Sequence, residues 1–389
     1  MKDKLYTKVL NNNLYCCCRE INIPNFQIAL IVKSGSMKEK IGQSGVAHCI
    51  EHINLLWDKH ENDKYFYGHG YTNYFETVYI LNCEVSNYKK AIQIIENITG
   101  GVYLRQEFLD ESMLDVIKEI KESSQRDAQI YKILFEDDLL LEKLPVGKVS
   151  NVKSLSLENI KKFFRDNYVK SNMAVCVVSS LPVDKYLNMI EQCIGKSCIE
   201  DNYVPHEYNH KSDNCFASFG KHNTDYEMLM YKYVDLKNWL PNEIRAGYDF
   251  FLDILRKRLY DELSLKFGII GITCSLKKFY QGDRILKIRI VLKNSNPDIL
   301  NIVPEILRSG SGSCCIESIK AQYKEYMNSK DFFFRPEDFI KECIDEVLGI
   351  EKIISIDEEK KLIERLLNLS EQEIKNYLEI LFLNLNMVE

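Results

Sequence analysis

The chain has 389 residues, which at about 150 residues per domain suggests two or three domains, each able to bury a sizeable core. Apolar residues make up 46% and charged residues 28%, with 8 Pro and 17 Gly, a composition that excludes disordered, collagenous and disulfide-scaffold classes. The net charge of −6, from 51 basic and 57 acidic residues with no basic tract, removes the electrostatic footprint that nucleic-acid binding needs.

No apolar segment follows the lysines of MKDKLYTKVL, and no stretch approaches eighteen uninterrupted apolar residues. We therefore expect no membrane span and a cytoplasmic location. Thirteen cysteines is an odd number with no C-x-x-C pair, which points to buried reduced thiols. Cys16, Cys17 and Cys18 are consecutive; in an extended strand they alternate faces and cannot converge on one ion, so they read as a packed strand.

In chain order, Leu14–Cys18 and Phe26–Lys33 read as strands separated by Asn22–Pro24–Asn25 turn chemistry. A helix follows the Gly35–Ser36 loop. Thr77–Val85 is β-rich, Tyr88–Ile98 helical, and Asp110–Tyr131 a long helix with Met113, Val116, Ile117 and Ile120 on one stripe. A helix from Ser156 to Tyr168 precedes a buried strand at Met173–Val178. The polar stretch around residues 204–213 interrupts the periodicity and is the candidate linker. Beyond it come a strand at Met228–Val234, a helix over Asn242–Leu265, strands at Ile269–Leu276 and Ile285–Leu292, and further helices. The expected class is α+β, with a catalytic domain at 1–203 and a second domain of similar size at 214–389.

His48, Glu51 and His52 spell H-x-x-E-H. On a helix, Val46, Ile50, Ile53 and Trp57 fall on one side, and His48, Glu51, His52 and Leu55 on the other. Such a helix buries an apolar stripe and aims two imidazoles, one turn apart, at a single point. Two imidazoles so spaced suit a tetrahedral Zn²⁺, which in a catalytic site needs a third protein ligand and a position left for water. Glu51, on the same face, is placed to take a proton from the attacking water. The plainer alternative is a solvated helix face carrying two ordinary histidines.

The stretch GSMKEKIGQSGVAHCIEH, residues 35–52, resembles the hallmark of the pitrilysin/insulinase family of zinc peptidases. The resemblance implies a distant downstream Glu as third ligand, within a V-[IL]-x-E-[IE] helix. Val116–Ile120 matches that pattern and nominates Glu119, giving one Zn²⁺ per chain on His48, His52 and Glu119. Leu14, Thr77–Tyr79 and the run from Tyr168 through Asn172 and Met173 match further family segments in order. The resemblance also implies two similar domains, each a mostly antiparallel sheet with helices packed on it, forming half of a clamshell. An extended peptide substrate would add as a strand to the catalytic sheet.

Departures from the family are informative. The separation of His52 from Glu119 is shorter than is common. The family's supporting carboxylate, seven residues before the third ligand, falls on Ser112; Asp115, one turn before Glu119, is either its substitute or part of a solvated helix face. The family's Asn-Ala-x-Thr substrate segment corresponds to His69–Gly70–Tyr71–Thr72, where His69 either contacts substrate or sits in a loop. In the second half, the Arg and Tyr that hold the substrate backbone correspond to Ser264 and Gly271. That loss implies a heterodimer with a homologous subunit supplying Arg and Tyr. A homodimer using Arg256, Arg258 or Tyr260 is the alternative.

The expected function is a zinc metalloendopeptidase for unfolded or extended peptides, with dedication to one small precursor as its narrower form. The rival is a non-catalytic scaffold or substrate-presenting subunit, disfavoured because all the ligands are kept. The pair His206 and His210 reads as linker. Gly310–Ser311–Gly312 lacks the Lys of a phosphate loop.

Overall fold

Runs rich in Val, Ile and Cys build the first of two sheets, and the central runs are apolar on both faces because helices cover both. The computed structural model of the protein describes residues 4–11, 13–57, 66–123, 126–136, 138–194, 214–279, 283–308, 313–328, 336–349, 352–382 and 386–388. The candidate linker at 204–213, His206, His210 and the 310–312 run lie outside them.

The chain forms two compact units. The first sheet consists of β1 (Lys4–Val9), β2 (Tyr15–Glu20), β3 (Asn25–Val32), β4 (Phe66–Thr72), β5 (Thr77–Glu84) and β6 (Met173–Ser179). Its order is β1-β2-β6-β3-β5-β4, and only the β2–β6 pair is parallel. Helices α1 (Val46–Leu55), α2 (Tyr88–Thr99), α3 (Gln106–Glu122), α5 (Leu157–Asn167) and α6 (Asp184–Cys193) belong to this unit. Cys16, Cys18, Ile28, Leu30, Val175 and Val177 point into the core beneath these helices. Cys17 and Cys176, directly paired in β2 and β6, face the other way and meet Cys343. That residue lies on α10 (Pro336–Val347), a helix from late in the chain that packs on β3 and β6. The described cysteines are free thiols, and the alternation expected for Cys16–Cys18 is the alternation found.

The second unit has the sheet order β11-β7-β8-β10-β9, formed by β7 (Asn214–His222), β8 (Asp225–Asp235), β9 (Ile269–Lys278), β10 (Asp283–Leu292) and β11 (Asn386–Val388). All its pairs except β11–β7 are antiparallel. Helices α7 (Tyr248–Leu263), α8 (Ile299–Arg308), α9 (Ser313–Asn328), α11 (Ile356–Asn368) and α12 (Glu371–Phe382) belong to it. The units interleave: residues 129–137, most of α4 (Arg126–Phe135), belong to the second unit, and α10 belongs to the first.

Two helices differ from the sequence expectation. The long helix over 110–131 begins at Gln106 and stops at Glu122, where Ser123 turns extended (φ −73°, ψ 140°). The apolar pattern beyond it belongs to α4, whose Phe135 stacks on Phe279 of the second unit. The helix over 242–265 is broken around Gly247, where a side chain would strike Leu366 Cδ1 at 2.5 Å.

Candidate metal centre

Helix α1 starts at a tight point. Gly45 is left-handed (φ 101°), and Glu39, buried, accepts hydrogen bonds from Gly45 N (3.0 Å) and Ala47 N (2.9 Å). These are two of the amide donors that a helix N-terminus leaves unpaired. Burial pushes the Glu39 carboxyl up to about 8, against the pull of those two amides. Helix α3 packs on α1 through Phe108, Leu109, Ser112, Val116 and Ile120. Ser112 Oγ donates to Cys49 O at 3.4 Å. This register carries Glu119 to the histidine face of α1.

His48 Nε2 lies 3.1 Å from His52 Nε2 and 3.2 Å from Glu119 Oε2, and His52 Nε2 lies 3.4 Å from Glu119 Oε1. Ligands about 2.0–2.1 Å from a tetrahedral zinc stand about 3.3 Å apart, so the three separations match the edges of such a site. The donor set fits as well. His48 Nδ1 reaches the Val146 carbonyl at 3.2 Å, a bond that requires the proton on Nδ1 and leaves the Nε2 lone pair for a cation. Two imidazole lone pairs and a carboxylate then face one point. Among the described residues this is the one group of three or more His, Cys, Asp or Glu side chains with such convergence. The Glu119 side chain is 50% exposed, so the centre opens on one side.

The three groups also bias one another's protonation. Burial opposes charge on His48, but the hydrogen bond to Glu119, with Glu51 nearby, raises its pKa on balance. Burial and the neighbouring His48 lower His52. The hydrogen bond with His48 lowers Glu119. A bound metal would compete with protons for these groups.

Glu51 is buried beside the three, with Oε2 3.8 Å from His48 Nε2, and burial lifts its pKa to about 7, suited to proton transfer near neutrality. Thr72 Oγ1 donates to Glu51 Oε2 at 3.3 Å. The Glu51 side chain also fits against Gly70, where an added Cβ would stand 3.1 Å from Oε1 and 2.8 Å from Val78 O. Beneath the helix, Asn54 Nδ2 donates to Tyr79 OH (3.1 Å), which shares a 2.6 Å hydrogen bond with Tyr168 OH.

Residues 69–72 form part of strand β4, not a loop. Gly70 and Thr72 turn toward Glu51, while His69 and Tyr71 fall on the opposite face by alternation and are exposed. Asp115 lies near enough to His52 to favour its charged form. In the second unit, Arg258 is buried, bonded to Ile306 O and to Glu262. Arg256 pairs with Asp253 at 2.8 Å, Tyr260 is exposed, and the space around Gly271 is open. Glu39, Val146 and the Tyr79–Tyr168 pair were not nominated from sequence. The signals available were glycines at 45 and 147.

Fold and site define a chain of two α/β units with a His-His-Glu centre on paired helices in the first. Residues 20–140 match the family described as Insulinase (Peptidase family M16), and residues 154–308 match Peptidase M16 inactive domain. The chain belongs to this insulinase/pitrilysin family. Zinc protease PQQL-like of Arabidopsis thaliana is 26% identical over 198 residues, 45% of this chain and 21% of that protein. The beta subunit of the mitochondrial-processing peptidase of Saccharomyces cerevisiae is 23% identical over 220 residues, 51% of this chain and 46% of its own length. The chain thus spans less than half the length of these relatives. The first half of the periplasmic protease PqqL from Escherichia coli superposes with a TM-score of 0.78 at 17% identity, covering 97% of this chain and 89% of that one. A protease from Helicobacter pylori gives 0.75 at 17% identity, with 97% and 96% covered. These structures establish the likeness of fold. No helix among the described residues is long and apolar enough to cross a membrane.

Proposed function

We propose that the chain is a zinc-dependent endopeptidase acting on unfolded or extended peptides. The observation that carries this is the convergence of His48, His52 and Glu119 at 3.1–3.4 Å with Glu51 buried alongside. When bound, zinc would supply Lewis-acid polarisation of the scissile carbonyl. Glu51, poised near neutrality, takes a proton from the attacking water and delivers it to the leaving amine. Thr72 and Gly70 fix the position of that carboxylate. Strand β4 ends the strand order of its sheet, and its edge suits the addition of an extended peptide.

The catalytic domain in this reading is the first unit, and the second supports it. The partner is a homologous subunit bringing Arg and Tyr, since Ser264 and Gly271 offer neither and Arg258 is committed to Ile306. A homodimer would have to use Arg256 or Tyr260. Dedication to one small precursor peptide is the narrower form of the proposal, and the free thiols favour a reducing compartment such as the cytoplasm. A non-catalytic scaffold role is the second reading, favoured by the match of residues 154–308 to a domain described as inactive.

Metal analysis and a peptide-cleavage assay test this, run on the chain alone and with its homologous partner. About one zinc per chain is expected, and Glu51→Gln should keep the zinc while losing about 10²–10⁴-fold in rate. A chain that binds zinc but cleaves nothing in either setting is a scaffold.

A further inference from the structure

The contact that decides how His48 presents itself comes not from a side chain but from the backbone of a turn about a hundred residues away. Leu144, Pro145, Val146 and Gly147 form a turn closed by Gly147 N donating to Leu144 O at 2.9 Å. Pro at the second position and Gly at the fourth suit a type I turn. In that arrangement the Val146 carbonyl takes no part in closing the turn, and it accepts from His48 Nδ1 at 3.2 Å.

The turn reaches this far only because two glycines meet. Gly147 and Gly45 are both left-handed (φ 87° and 101°), and a Cβ on Gly147 would lie 2.7 Å from Gly45 Cα and 3.2 Å from Ser44 O. Lys143 adds an anchor by donating to Met37 O at 2.6 Å. Tyr74 OH fixes the approach to the turn through Leu140 O at 3.0 Å. The segment is therefore tied both to the loop before α1 and to the first ligand on it.

We propose that turn 144–147 is a positioning element of the metal centre, its Val146 carbonyl holding His48 in the tautomer and orientation that aim Nε2 at the ion. The inference rests on the reading of His48 as a ligand. It assigns the work to the backbone: the absence of a side chain at 147 is essential, while the side chain of Val146 packs against the core. An outer partner of this kind is worth about 10–100-fold in metal affinity.

The test combines chelator competition for zinc with ring ¹⁵N spectra of His48 in the metal-free protein. Gly147→Ala should weaken zinc binding by about 10–100-fold and mix the His48 tautomers. Gly101→Ala, at another left-handed glycine (φ 67°) of the same unit, should lower the melting temperature without changing zinc affinity. Wild-type affinity and tautomer in Gly147→Ala would overturn the proposal, as would an equal loss of zinc affinity in Gly101→Ala. Should Gly147→Ala not fold, the metal-free wild-type spectrum, recorded at a pH high enough for His48 to be neutral, decides: Nδ1–H supports the proposal, Nε2–H overturns it. A wild type that binds no zinc would instead defeat the assignment of the ligands, whatever its tautomer.

Discussion

The two units treat their carboxylates in opposite ways. In the first, burial lifts Glu51 to about 7 and Glu39 to about 8. In the second, burial is outweighed: it is the largest single influence on Asp261, yet Lys257 and Cys315 together hold that carboxyl low, and cap bonds from Ser355 and Ser370 hold Glu358 and Glu373 low. Along α7, charges are matched a turn apart, Arg256 with Asp253, Lys257 with Asp261 and Arg258 with Glu262. The second unit thus places acids where folding favours their charge. The first keeps two acids, Glu39 and Glu51, where folding alone disfavours their charge, which is the mark of groups held for chemistry or for positioning it.

The contrast is sharpest in its pH dependence. A carboxyl raised by folding carries no penalty below its unfolded value, near 4.5, and loses stability as pH climbs through the folded value. Replacing Glu39 with Gln should therefore help increasingly with pH, the stability difference from wild type growing by roughly a few kcal/mol between pH 4.5 and 8 in urea titrations of the metal-free protein. A difference independent of pH would mean that the amides of Gly45 and Ala47 offset the burial. The lowered acids of the second unit act with the opposite sign, losing their contribution as pH falls.

Gly70 offers the next largest effect. Its Ala variant must displace either Glu51 or the Val78 carbonyl, so kcat/KM should fall about a hundredfold with zinc retained. Activity near that of the wild type would show that Glu51 has room the geometry denies it. Arg258→Met tests the other unit: losing the bonds to Ile306 O and Glu262 should cost about 2 kcal/mol in denaturant unfolding while leaving zinc content unchanged. A loss of zinc would mean that the second unit supports the centre directly. Smallest of all is Gly271→Ala on β9, an edge strand like β4 but with open space around the glycine, where stability should move by less than about 0.5 kcal/mol.

What could be read in the sequence was what is local. The H-x-x-E-H spacing fits inside two turns of α1, and the apolar runs of β3 and β6 are continuous because both faces are covered. Glu119 was reachable only through the family resemblance, since 67 residues separate it from His52 and no periodicity links them. Strand β4 escaped because Gly68 and Gly70 dilute its pattern, and those glycines are there to accommodate Trp57 and Glu51. The end of α3 escaped because the apolar pattern continues into α4, which serves the other unit. The Val146 carbonyl carries no side-chain signal at all.

Helix α10 gives the chain an awkward order of manufacture. The sheet face that presents Cys17 and Cys176 is covered by a helix synthesised about 150 residues after the last strand of that sheet. At roughly 5–20 residues per second, a translating ribosome leaves that apolar, thiol-bearing surface bare for on the order of ten to thirty seconds. A chain truncated before α10 presents an open sheet face to chaperones and proteases, and closing the part that carries the histidines waits on residues 336–347.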